Sequence, residues 1–166
     1  IGSYSLKTLI SGAENIAIGF QSAQSFGVGE TGNTVIGANA MNAMDEGSAG
    51  NVNYNVAIGL ESLLGGNIDD QSTNVIGNVA IGAYALDATG VNAQTGTIAI
   101  GHQSLTSLTS GLRNTSVGYQ SAYNNATGSD NTYLGHWAGS GGSGNHSDNT
   151  GVGSNALGLI TTGGSN

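Results

Sequence analysis

Reactive side chains are few in these 166 residues: three histidines, ten carboxylates, two basic residues and no cysteine. His102 and His136 occupy the same place in a repeat, with Tyr119 in that place between them. At one strand spacing per repeat the two histidines stand roughly 9.6 Å apart, too far to share a metal ion within one chain. His146 falls where the calcium-binding nonapeptide of parallel β-rolls, here imitated by Gly141 to Asp148, requires Asp; one imperfect copy cannot build a site that depends on neighbouring copies. Asp45 with Glu46 and Asp69 with Asp70 read as solvated loop charges. Gly27-Val28-Gly29-Glu30-Thr31-Gly32 and Gly139-Ser140-Gly141-Gly142-Ser143-Gly144 match G-x-G-x-x-G. A dinucleotide site needs a helix after that turn, whereas Asn33-Thr34-Val35-Ile36 opens a strand. With no triad pattern either, the expectation is a protein that is not an enzyme and has no cofactor and no metal site.

The residues suited to recognition are aromatic. Tyr119, Tyr123, Tyr133, His136 and Trp137 lie within 19 positions and are the candidate receptor contact, since exposed rings beside Asn and Gln suit sugar recognition. Asn114, Asn125 and Asn145 open N-x-S/T sequons, a weak pointer to glycosylation in a chain so rich in Asn and Ser.

What positions these side chains is an internal repeat. Asn-x-x-Ile-Gly recurs with glycines at 2, 19, 37, 59, 82, 101, 118, 135 and 153, spaced by 17 to 23 residues. Before each glycine stands an aliphatic residue, and Ile18, Ile36, Ile58, Ile81, Ile100, Val117, Leu134 and Val152 form the expected core column. Two positions earlier the side chain is β-branched, from Ile16 to Thr150, as a strand favours, and between the two columns it is mostly small. Asn15, Asn33, Asn55, Asn78, Asn114, Asn131 and Asn149 make an Asn ladder able to hydrogen-bond from repeat to repeat, with Thr97 the exception. After the glycine comes a Ser/Ala column from Ser5 to Ala156, where a second short strand is expected.

One such repeat cannot bury its own face, so stacking must complete it. The expected fold is all-β: a parallel β-solenoid of about nine coils in a single domain over 1–166, with inserted loops near 45–53 and 65–74. Asn74-Val75-Ile76-Gly77 imitates the repeat just before Asn78-Val79-Ala80-Ile81-Gly82, and the later copy ranks first because it keeps the small column. Ile1-Gly2 reads as the end of a repeat, as in a slice of a longer array. The Ala/Ser columns, taken as facing away from the aliphatic one, would be covered by oligomerisation.

The repeat Asn-x-Ala-Ile-Gly-x-x-Ser/Ala resembles the head repeats of trimeric autotransporter adhesins. Asn114-Thr115-Ser116-Val117-Gly118-Tyr119-Gln120-Ser121-Ala122 and Asn131-Thr132-Tyr133-Leu134-Gly135-His136 are still more similar to the longer repeats of phage tail fibres. The resemblance implies a left-handed β-roll packed as a homotrimer around a fibre axis. It also implies an extracellular place on a virion or cell surface, and adhesion to a host glycan or protein receptor.

Charge and hydropathy fit that class. A net charge of −8 leaves no cationic surface for nucleic acid, and the apolar runs are far shorter than the roughly 20 residues that span a bilayer. Tail fibre and adhesin head are the two expected parents. Ice binding by a threonine face comes third, because Ile16, Val56, Val79 and Ile98 interrupt Thr34, Thr115, Thr132 and Thr150.

Overall fold

A computed structural model describes residues 1–44, 51–66, 73–90, 92–142, 146–161 and 163–166. Most of both inserted segments lies outside these residues, as do Asp45, Glu46, Asp69, Asp70 and Asn145. Among the described residues there is no helix, and the chain winds as a parallel β-solenoid of about eight turns. The count falls short of nine because the first glycine is preceded by Ile1 alone.

Among the described residues there are fifteen short strands. Eight are the residues just before the repeat glycines: β2 (Ile16–Ile18), β4 (Thr34–Ile36), β6 (Val56–Ile58), β8 (Val79–Ile81), β10 (Ile98–Ile100), β11 (Thr115–Val117), β12 (Thr132–Leu134) and β14 (Thr150–Val152). They pair in order, parallel and in register, as one eight-stranded sheet about 34 Å long at the usual strand spacing. The others precede the asparagines: β1 (Ser11–Ala13), β3 (Val28–Thr31), β5 (Asn51–Asn53), β7 (Asn74–Ile76), β9 (Gln94–Thr95), β13 (His146–Ser147) and β15 (Gly163–Gly164), in three small parallel sheets. The imitation repeat at Asn74 is thus a strand of the second wall, and Val79-Ala80-Ile81 lies in the long sheet.

The structure reverses the expected faces of the long sheet. Ala17, Val35, Ala57, Ala80, Ala99, Ser116 and Tyr133, the middle residues of their strands, point inward and are buried. The aliphatic residues on either side point out: Ile18 is 39%, Leu134 47% and Val152 65% exposed, and Ile36, Ile58, Ile81, Ile100 and Val117 are half-buried. Strand alternation allows only one parity inside, and the interior is narrow. Small residues win there because the opposite walls supply bulk: Phe26, Met41, Met44, Leu63, Leu86, Leu105 and Leu108 are wholly buried. The Ser/Ala column after the glycine is also interior, so it is not a surface awaiting a partner.

Nor is the segment after the glycine a strand. Its second and fourth residues adopt left-handed φ, as at Gln103 (56°) and Leu105 (52°), in coil after coil. Inter-coil bonding survives in alternating directions: Gln103 N–H donates to Ala83 O of the coil before, and Leu105 N–H to Ser121 O of the coil after. Left-handed φ strongly disfavours β-branched side chains, and no Val, Ile or Thr stands at either position in any repeat.

The asparagines are wired in two directions. Asn55 Nδ2 donates to Asn33 Oδ1 at 3.0 Å and to Val75 O at 2.7 Å, while its Oδ1 accepts from N–H and Nδ2 of Asn78, both at 3.0 Å. The same pattern joins Asn114, Asn131 and Asn149, and Asn166 continues it. At Thr97 the side-chain relay stops: its N–H donates to Asn78 Oδ1, but among the described residues its buried Oγ1 has no partner, nor does either amide atom of Gln94 in that coil. Thr97→Asn is therefore expected to stabilise the fold by about 1–2 kcal/mol, one or two recovered buried hydrogen bonds, read as a higher Tm.

Candidate functional site

Two surfaces are built by this winding. The first is the outward face of the long sheet, two side-chain columns wide: Ile16, Thr34, Val56, Val79, Ile98, Thr115, Thr132 and Thr150 beside the aliphatic column. No ionisable residue stands in either column. Twelve of its sixteen side chains are aliphatic and the other four are threonines, Thr34, Thr115, Thr132 and Thr150, which makes it an uncharged and largely apolar strip, a kind of surface suited to burial against a partner.

The second surface lies at the corner after the glycine. The first residue beyond it carries a ring in three consecutive coils, and the second adds Tyr84 and Trp137. His102 and Tyr119 are stacked, centroids 5.4 Å apart and planes at 10°; Tyr119 and His136 follow at 5.7 Å and 17°. Trp137 adjoins His136 at 6.0 Å, and Tyr84 meets His102 edge-on at 6.0 Å. Tyr119 and Trp137 are 48% and 44% exposed. Beside the rings, Gln120 Nε2 donates to Gln103 Oε1 at 2.7 Å.

Of the five residues singled out as receptor contacts, Tyr119, His136 and Trp137 come together here. Tyr133 does not: it is wholly buried, one of the inward residues of the long sheet, with its hydroxyl 3.3 Å from Asn131 Oδ1. Its ring occupies room that other coils give to larger neighbours, since a Cβ on Gly139 would lie 2.5 Å from it and one on Gly151 3.2 Å. Burial also pushes the Tyr133 hydroxyl above its ordinary titration range. Tyr123 is half-buried. Tyr84 and His102 belong to the cluster although the 19-position window omits them; the repeat register, which puts them two coils and one coil away from Tyr119, is the signal that finds them.

Comparison with protein-family models, with curated proteins and with solved structures finds no match.

The remaining candidates are accounted for by position. Gly27 to Gly32 spans β3 and its flanking turns, with no helix to receive a phosphate. Asn114 and Asn125 are fully buried, so neither sequon is open to a glycosyltransferase. Among the described residues no three His, Cys, Asp or Glu side chains converge on a metal position. His146 is buried, and neither ring nitrogen has a hydrogen-bond partner among them. Desolvation raises the Asp87 carboxyl above the usual range, against the Thr106 hydroxyl that donates to it at 2.6 Å. On the surface Arg113 pairs with Asp130 at 2.7 Å and holds that carboxyl low.

Proposed function

We propose that this chain is a structural and adhesive segment of a trimeric extracellular fibre, of the phage tail fibre kind, that meets the host cell surface. One observation carries the reading: every coil turns two β-branched or aliphatic side chains of the long sheet outward, in register over eight strands. A face of that length without an ionisable side chain favours burial against its like, and closed rotational symmetry lets identical copies bury the same patch. Three copies turned toward a common axis leave the ring-bearing corners free to touch a receptor, with the solenoid as the rigid rod. The head of a bacterial trimeric adhesin is the same assembly on another parent, and the flanking sequence separates the two.

The test is the mass of the soluble protein by light scattering, expected at three times the 16.3 kDa of one chain. Ile81→Asp, a charge at the middle of the face, is expected to give monomers with an unchanged β-type circular dichroism spectrum. A wild-type protein that stays monomeric at tens of micromolar overturns the trimer.

A further inference from the structure

We infer that the aromatic corner is a binding site for a neutral saccharide, centred on Trp137 and His136. The inference rests on the adhesive reading above and supplies the chemistry of its ligand.

The solenoid does not need rings at this corner. The same position holds Ser3, Ala38, Ala83 and Ser154 in other coils, all of which wind alike. Where rings occur they are held by one another, at 5.4 and 5.7 Å, before any ligand arrives. A binding surface fixed in advance avoids the ordering cost that weakens flexible contacts.

The stack also has an end. The coil beyond His136 carries Ser154 in the ring column, so no ring continues the stack on that side, and the adjoining indole is 44% exposed. The C–H face of a pyranose is apolar and matches an open aromatic face, while its hydroxyls require donors and acceptors at the rim. Gln120 and Asn155 hold the position of Trp137 in the coils on either side of it, and supply amides of both kinds.

Charge decides which saccharide. The chain carries −8, and its two basic side chains are engaged elsewhere, Lys7 over the Tyr4 ring and Arg113 on Asp130. No Lys or Arg stands at the corner, whose only nitrogen bases are the imidazoles of His102 and His136, so under a net charge of −8 a neutral sugar is favoured over an acidic one.

Trp137 is the chain's single tryptophan, so its fluorescence reports this site alone. The intact protein is titrated with three neutral polysaccharides (dextran, a β-1,3-glucan and a mannan) and with hyaluronan as the acidic control. A saturable change in emission is expected with at least one neutral probe and none with hyaluronan. Tyr119→Ala is expected to weaken it roughly tenfold, the loss of one ring contact, and calorimetry is expected to show no binding to Trp137→Ala. Phe20→Ala, an exposed ring at the other end of the rod, is expected to bind as wild type. Unchanged emission with all three neutral probes, or equal weakening by Phe20→Ala, overturns the site. Retention on a panel of whole bacterial cells then separates the two ideas: if wild type and Trp137→Ala are retained equally, adhesion stands without this site; if neither is retained, adhesion fails as well.

Discussion

Asn55→Ala is expected to cost about 4 kcal/mol, a large part of the 5–15 kcal/mol that keeps a typical domain folded. The side chain is fully buried and serves both neighbouring coils. Its removal strands the Val75 carbonyl, which accepts from Nδ2, and the Asn78 N–H, which donates to Oδ1. Each buried backbone group left without a partner costs roughly 1–3 kcal/mol, and the vacated volume adds to that. Asn55→Asp separates the causes: it keeps the volume and the acceptor but loses both donated bonds and buries a charge. It is expected to be at least as damaging as Ala at neutral pH. Denaturant unfolding of both variants measures the difference; a loss below about 1 kcal/mol for Asn55→Ala would mean that the ladder is ornamental to stability.

Gly59→Ala is expected to be as severe, for a reason that involves no lost contact. Gly59 has φ +132°, a region nearly closed to residues with a side chain, and a Cβ there would lie 2.6 Å from the carbonyl carbon and oxygen of Gly82 in the next coil. Backbone cannot yield as a flexible side chain would, so relief requires prising two coils apart where the long sheet turns its corner. The substitution is expected to lower the Tm by ten degrees or more, on the order of 3–5 kcal/mol. Gly77→Ala is the control: its φ is +67°, nothing stands within 4 Å of its Cβ, and roughly 1 kcal/mol of left-handed strain is the whole expected cost.

These two positions also show what a single sequence can yield. Period, sheet register and the Asn column could be read because they repeat: Asn33, Asn55 and Asn78 stand at the same distance from their glycines, and stacking converts equal distance into contact. The inward face could not be read from Ile-Ala-Ile. Hydrophobicity favours placing both isoleucines inside, and only the bulk of Leu63, Leu86 and Leu105 across the interior makes Ala57 and Ala80 the better fit. Those leucines sit four residues after the glycine in left-handed backbone, a state that propensity alone assigns to Gly or Asn. The signal was negative, the missing β-branched residues, and a search for strands passes over it.

The candidate site divides along the same line. Tyr119, His136 and Trp137 are close in sequence and in space, so their clustering in the sequence is enough to group them. Tyr133 is also aromatic and near in sequence, yet it belongs to the inward parity of β12 and is matched by Gly139 and Gly151 in the coil pair around it. Tyr84 and His102 required the register rather than the neighbourhood.

Except where Thr97 replaces the asparagine, each coil offers the next one the same groups in the same places: an asparagine amide, a three-residue strand and a glycine with an empty side. The winding therefore has no privileged middle, and its length is a quantity the gene can edit. Deleting 17 to 19 residues in phase removes one strand and one rung and returns the chain to an equivalent neighbour. A reach set in steps of about 4.8 Å can change without redesign of the corner that carries the rings.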